Sequence, residues 1–194
     1  MALLAEVVVE EWLNRQGYFT IRGAKIGVNE IDLLAIRLAS HGIECRHLEV
    51  QASMRPVSYI SKVPRSARRE GRPANSAKRS EDELRVGVAE WVAGKFDDPR
   101  KRQLMDRLAP GPWSRELVIH RVKSADEVRL IESRGVTIRH LSAIVRELRA
   151  TDGMIASAGG ADFMDLITMA DHSSAQANES DALMAAVYRP SISR

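Results

Sequence analysis

Two apolar stretches of the sequence each carry a carboxylate where a buried strand is predicted. Asp32 lies within residues 29–35, and Glu49 lies within residues 47–53. A carboxylate inside a buried strand is costly unless it forms an ion pair or binds a metal ion. Because strand side chains alternate between faces, Glu49 and Gln51 share one face, and Asp32 lies beside Glu49 if the two strands pair.

Two carboxylates and a neutral amide form an oxygen-rich site of the kind that Mg²⁺ or Mn²⁺ prefers. A hard divalent cation activates water and stabilises negative charge on a phosphoryl group, so the site predicts hydrolysis of phosphodiesters. A second interpretation needs no metal ion. In it, the strand acids form ion pairs with arginines from the second half of the chain.

Basic residues are concentrated directly after the second of these stretches. The 194-residue chain has a formal net charge of only +3, whereas residues 55–79 contain eight basic residues and one acidic residue. Such a segment favours a polyanionic partner, because arginine binds phosphate through two parallel hydrogen bonds. Contacts of this kind position a nucleic acid without reading its sequence. The candidate nucleic-acid-binding residues are Lys25, Arg55, Lys62, Arg65, Arg68, Arg69, Arg72, Lys78 and Arg79.

Helical and strand-like patterns alternate along most of the chain. Helices are predicted over residues 2–16, 81–96, 99–108, 125–133 and 141–149, and strands over 18–22, 30–38, 43–52, 116–122 and 136–139. Residues 54–79 contain three prolines and no periodicity, which predicts a mobile loop with at most one short turn of helix. The order of elements predicts an α/β fold with a central mixed β-sheet flanked by helices.

The order of these elements and acids resembles the PD-(D/E)XK nuclease superfamily, whose members share the restriction-endonuclease-like fold. The similarity covers residues 4–148 and rests on a helix with Glu6, a hairpin strand with Asp32, and the Glu49-Val50-Gln51 element. The resemblance implies that Asp32 and Glu49 bind the metal ion and that the backbone carbonyl of Val50 completes the shell.

The resemblance also implies that an acid of the first helix assists the site through water. Glu6 lies eleven residues before Gly17, a spacing similar to that of resolvase-like members, and Glu10 is the rival position. Two positions depart from the family pattern, since Ile31 replaces a proline and Gln51 replaces the lysine. Glutamine orients a water molecule but supplies no charge, so Lys25 is a candidate for a replacement charge.

The sequence therefore predicts a divalent-metal-dependent DNA endonuclease of the restriction, defence or repair type. Its expected catalytic residues are Glu6, Asp32, Glu49 and Gln51. The alternative is a catalytically weak or inactive nucleic-acid-binding or assembly subunit that has kept the nuclease fold. A third interpretation is a nuclease that acts on RNA. A homodimer is a further expectation, because small nucleases of this kind often need two sites to cut both strands, and a partner protein that supplies specificity fits the lack of a base-reading motif.

Composition divides the chain into a predicted nuclease-like domain, residues 1–150, and an acidic, polar tail, residues 151–194. The tail contains six acidic and two basic residues and is expected to be either helical, over 161–170 and 180–188, or partly disordered. Cys45 is the one cysteine, and no run of 18 apolar residues occurs. A cytoplasmic protein without a membrane-spanning helix is therefore expected.

Overall fold

A computed structural model describes residues 2–53 and 55–150, together with Asp165 and Met169. A five-stranded sheet lies at its centre, with the strands in the order β1-β2-β3-β4-β5. They are β1 (Phe19–Ile26), β2 (Asn29–Ala39), β3 (Gly42–Gln51), β4 (Trp113–Ile119) and β5 (Thr137–His140). β1, β2 and β3 pair antiparallel, whereas β3, β4 and β5 pair parallel. The predicted α/β class with a mixed sheet is confirmed.

Six helices connect or flank these strands in the part of the chain that the structure describes. They are α1 (Ala2–Arg15), α2 (Arg65–Arg69), α3 (Glu81–Phe96), α4 (Pro99–Leu108), α5 (Ala125–Glu132) and α6 (Leu141–Ala150). The start of α3 is fixed by a capping box between Ser80 and Glu83. The chain divides into two units, Met1–Ile155 and Ala156–Arg194. Asp165 and Met169 of the predicted helix 161–170 are helical, and the rest of the two predicted tail helices lies outside the described residues.

The helices cover both faces of the sheet, as two neighbouring residues of β3 show. The Arg46 guanidinium lies 4.8 Å from the ring centroid of Trp12 in α1, and the His47 ring lies 4.8 Å from that of Phe96 in α3. Successive strand residues face opposite sides, so α1 and α3 cover opposite faces. On the α3 side, Val88 and Val92 pack against Leu117 of β4 in the apolar core.

A buried charge network stabilises the α1 face of the sheet. Arg46 donates two hydrogen bonds of 2.6 Å to the Glu116 carboxylate, and Arg139 contacts the same carboxylate. Arg139, from the second half of the chain, therefore pairs with the buried strand acid Glu116 of β4. This differs from the metal-free interpretation of the sequence, which paired such arginines with the acids of β2 and β3.

Two strands differ from their predicted bounds by three residues or more. β1 runs on to Ile26, four residues beyond its predicted end at residue 22, because Ala24 and Ile26 pair with Ile31 and Asn29 of β2. β4 begins three residues earlier than predicted, at Trp113, and ends at Ile119. Beyond that end, Val122 forms only an isolated bridge with Val57.

The basic segment that follows β3 was expected to be a mobile loop, and the structure shows that it is packed. Buried Glu127 of α5 accepts hydrogen bonds from Ile60 N at 2.7 Å, Ser61 N at 2.8 Å and Ser61 Oγ at 2.6 Å. Arg79 donates to the Ser61 carbonyl and stacks 4.1 Å from the Tyr59 ring. The expected short helical turn is α2.

Gly87 of α3 packs directly against the backbone of this segment. A Cβ atom at Gly87 would lie 2.6 Å from the backbone carbonyl oxygen of Lys62. We expect Gly87→Ala to lower the free energy of unfolding by about 1–3 kcal/mol, because overpacking outweighs the better helix propensity of alanine. Urea denaturation measures the change. Gly94→Ala is the matched control, since its Cβ meets nothing within 4 Å; equal or higher stability of Gly87→Ala would contradict the packing.

Candidate functional site

The pairing between β2 and β3 stops where the two predicted strand acids begin. The last pair of the ladder is Leu33 with Leu48, so Asp32 and Glu49 are the first residues past it. Instead of pairing with a carbonyl of β2, the backbone N–H of Val50 donates to Asp32 Oδ2 at 2.7 Å. On the other side of β2, Gly23 lies opposite Asp32 with a φ of +64° and no side chain. The strands therefore separate at the two carboxylates.

Asp32 is a half-buried carboxylate whose proton is held unusually tightly. Burial and the negative charge of Glu49 raise the pKa of Asp32 to about 6, although the Val50 N–H works in the opposite direction. Among the described residues, no lysine or arginine forms an ion pair with Asp32. The side chain is thus placed against a second carboxylate without a cation of its own, which is an arrangement that a divalent ion would relieve.

Glu49 lies at the centre of the site, with 0% of its surface exposed. Its Oε1 accepts a hydrogen bond of 3.0 Å from Lys101 Nζ and lies 3.2 Å from His47 Nε2, and its Oε2 accepts a hydrogen bond from Lys95 Nζ. Burial alone would raise the pKa of Glu49, but the His47 contact and the two ammonium groups outweigh it and lower that pKa to about 2. Glu49 is therefore ionised throughout the neutral range.

Lys95 and Lys101 are the functional side chains that sequence reasoning did not identify. Lys101 is 2% exposed, and it also donates to the carbonyl of Lys95 at 3.0 Å. Burial lowers the pKa of Lys95, but the charges of Glu49 and Asp32 outweigh this and raise it. One signal was available: Lys95 occupies the apolar stripe of α3, where a charged side chain requires a buried partner.

The first-helix acids occupy different surroundings. Burial and the charges of Glu30 and Glu49 raise the pKa of Glu6, against the opposing charges of Arg22 and Lys95, so Glu6 lies within electrostatic range of the strand acid Glu49. Glu10 instead forms an ion pair with Arg22 at 3.4 Å and accepts a hydrogen bond from Thr20 Oγ1 at 3.2 Å. Of the two rivals, Glu6 is the one whose pKa responds to the charge of Glu49, and Glu10 is directed toward β1.

A cleft of about 600 Å³ opens at these acids. Asp32 and Gln51 line one end together with Lys95 and Lys101, and α3 forms the floor through Gly87, Glu90, Trp91 and Gly94. The tip of the β1–β2 hairpin forms one wall, and the segment around α2 forms the other. Three of the predicted nucleic-acid-binding residues line the cleft on that second wall: Lys62, Arg65 and Arg68.

The other predicted nucleic-acid-binding residues do not line the cleft. Two of them are used within the protein, because Arg72 pairs with Glu83 at 3.0 Å and Arg79 bonds to Ser61. Four have exposed side chains elsewhere on the described surface: Lys25, Arg55, Arg69 and Lys78. Lys25, the candidate to supply the charge that Gln51 lacks, is therefore outside the cleft. Lys95 lines the cleft instead.

The oxygen groups at the cleft are compatible with an ion that needs few protein ligands. They are too few for an ion that needs three or more. Among the described residues, no three carboxylate, imidazole or thiol groups converge in a way that could hold a metal ion. Mg²⁺ keeps several of its waters and commonly takes only one or two carboxylates, which Asp32 and Glu49 provide. The set therefore suits a partly hydrated Mg²⁺ or Mn²⁺ and does not suit zinc.

No protein-family model matches the chain, and no curated protein matches it. Among solved structures, the chain is similar to the crystal structure of a protein of unknown function, AF1548, with a TM-score of 0.42 and 12% sequence identity. The similarity covers 73% of this chain and 59% of that one. None of the helices that the structure describes is both long and apolar enough to cross a membrane.

Proposed function

We propose that this chain is a divalent-metal-dependent DNA endonuclease of the cytoplasm with a restriction-endonuclease-like fold. The observation that carries the proposal is the opening of the β2–β3 ladder at Asp32 and Glu49, which leaves Asp32 at one end of a cleft with the buried Glu49 beside it. Five cations line that cleft (Lys62, Arg65, Arg68, Lys95 and Lys101) along with the acids Glu30 and Glu90, so a phosphate backbone drawn to the cations would lie close to Asp32. Phosphodiester hydrolysis needs these two features side by side.

Asp32 and Glu49 would hold Mg²⁺ or Mn²⁺, with the carbonyl of Val50 as a further oxygen ligand. When bound, such an ion activates water and stabilises charge on the phosphoryl group. Gln51 lines the same end of the cleft, where its amide orients water by hydrogen bonds. Glu6 of α1 would assist through water, and its raised pKa is consistent with a group that exchanges a proton with water.

Lys95 supplies the positive charge that Gln51 lacks. Its ammonium group is bonded to Glu49 and lines the cleft, so it is placed beside a phosphate that approaches the two acids. A fixed charge aimed at developing negative charge is usually a large contributor to catalysis. In this proposal Lys95 takes the role of the family lysine that Gln51 replaces.

We expect Lys95→Met to lower the rate of DNA cleavage by about 10²–10³-fold, the usual cost of losing one preorganised group that stabilises transition-state charge. The buried Lys101 keeps Glu49 paired, so the fold should survive, and circular dichroism checks this. Lys123→Met removes an exposed lysine outside the cleft and is the matched control. A Lys95→Met protein that cuts as fast as the control would contradict the role of Lys95.

The second candidate function is a nucleic-acid-binding or assembly subunit without catalysis. It is favoured by one observation: two lysines already neutralise Glu49, so that carboxylate has less need of a metal ion. Incubation of the protein with duplex DNA, single-stranded DNA and RNA, with and without Mg²⁺, separates the candidates. Metal-dependent cleavage of DNA supports the nuclease, binding without cleavage supports the subunit, and cleavage of RNA alone supports the RNA nuclease.

A further inference from the structure

The floor of the cleft carries an aromatic side chain between its acidic end and its basic wall. Trp91 is half-buried and is the one aromatic residue that lines the cleft in the part of the chain that the structure describes. One side of it packs on Phe96, with ring centroids 6.0 Å apart. Charged side chains in the cleft can bind phosphate groups only. Trp91 adds a flat apolar surface on which a ring can stack.

Gly94 leaves room beside Trp91 on the floor, whereas the Lys62 carbonyl fills the space beside Gly87. Gly87 and Gly94 lie four residues before and three residues after Trp91, so both lie on neighbouring turns of the same face of α3. No atom lies within 4 Å of the position that a Cβ would occupy at Gly94. The floor can therefore accept a planar group next to Trp91 without displacing side chains.

Trp91 and Lys95 lie on adjacent turns of α3, close enough for one nucleotide to reach both. Lys95 lies one turn after Trp91, with about 5–6 Å between their Cβ atoms. A phosphate beside Lys95 and the acids therefore places its own base within reach of Trp91. Toward Gly87, about 12 Å from Lys95 along the helix axis, the cations of the α2 wall are available to neighbouring phosphates.

We infer that the cleft binds an unpaired DNA strand, with one base stacked on Trp91 and its phosphate beside Lys95. The inference rests on the proposed function and specifies its substrate class. In an intact duplex the base faces are covered by neighbouring base pairs, so a side chain on a cleft floor reaches none of them unless a nucleotide is flipped out. Unpaired bases stack readily on aromatic side chains, whatever their identity.

Fluorescence anisotropy in EDTA tests the inference with a labelled single-stranded oligonucleotide and the duplex of the same sequence. We expect the wild-type protein to bind the single strand at least about tenfold more tightly than the duplex. Trp91→Leu, which keeps an apolar side chain against Phe96, should weaken single-strand binding about tenfold and leave duplex binding unchanged. Trp91→Phe should retain most of the affinity. Phe19→Leu alters an exposed aromatic residue outside the cleft and should change neither affinity.

Equal or tighter binding of the duplex would overturn the inference, and so would a Trp91→Leu protein with unchanged affinity for the single strand. If those results accompanied Mg²⁺-dependent cleavage of duplex DNA that required Asp32, the inference would be wrong and the proposed function would stand. If the protein neither bound nor cut DNA of either form, both would be wrong.

Discussion

Replacing Asp32 by asparagine is expected to abolish metal-dependent cleavage of DNA and to make the folded protein more stable at neutral pH. Asparagine keeps a side-chain oxygen that accepts the hydrogen bond from Val50 N, but it loses the charge that a divalent ion requires. The loss of several kcal/mol of transition-state stabilisation corresponds to about a thousandfold lower rate. The gain in stability follows because ionised Asp32 lies beside ionised Glu49 in the folded protein.

The pH dependence of this gain has a defined sign. The pKa of Asp32 is about 6 in the folded protein, against an ordinary value of 3.8. The proton on Asp32 therefore favours the folded state at low pH, and this contribution is lost as the pH rises through about 6. The neutral amide of Asp32→Asn mimics the protonated carboxyl at every pH. The variant should therefore exceed the wild type by about 1–2 kcal/mol above pH 6, after allowance for solvent screening, and by little below pH 4.

Urea denaturation at pH 4 and pH 8, together with a cleavage assay at pH 8, measures both effects. Asp106→Asn, at an exposed aspartate of α4, is the matched control and should change neither quantity. A variant that is less stable than the wild type at pH 8 would show that Asp32 is stabilised by its surroundings as an anion. Cleavage at the wild-type rate would show that Asp32 is not a metal ligand.

Replacing Glu49 by glutamine is expected to destabilise the fold by about 3–5 kcal/mol, because it leaves the charge of Lys101 buried without a partner. Glu49 and Lys101 are 0% and 2% exposed, so water cannot replace the lost contact. Loss of activity in this variant is therefore a poor test of catalysis by itself. The double variant Glu49→Gln, Lys101→Met removes both charges and should recover a large part of the lost stability.

The effect of Glu49 also depends on pH. Its folded-state pKa of about 2 is below its ordinary value of 4.5, so its stabilising contribution is present above about pH 4.5 and is lost as the pH falls toward 2. Denaturation curves at pH 7 and pH 3 should show a large difference between wild type and Glu49→Gln at pH 7 and a smaller one at pH 3. A difference below about 1 kcal/mol at pH 7 would contradict the buried ion pairs.

The sequence was sufficient to predict the parts of the site that depend on local pattern. Strand alternation places Glu49 and Gln51 on one face, and the apolar stretches around Asp32 and Glu49 lead to two paired strands that bring these acids together. The helix predicted over residues 81–96 is α3, and the capping box at its start joins Ser80 and Glu83, which are close in sequence.

The parts that the sequence did not predict depend on contacts between distant residues. Lys95 and Lys101 lie 46 and 52 residues from Glu49, so no local sequence pattern identifies Glu49 as their partner. The basic segment looked mobile because its anchor, Glu127, lies 66 residues from Ser61. The same contacts decide which basic residues line the cleft, so charge alone did not separate Lys62, Arg65 and Arg68 from Arg72 and Arg79.

A calorimetric titration with Mn²⁺ at pH 8 tests the metal site most directly, because it needs no substrate. The wild-type protein is expected to bind the ion saturably, and Asp32→Asn is expected to give only the heat of dilution. Glu10→Gln, which alters an α1 acid directed toward β1, should bind as the wild type does. Absence of Mn²⁺ binding by the wild type, or equal binding by Asp32→Asn, would contradict the assignment of the cleft as a metal-dependent nuclease site.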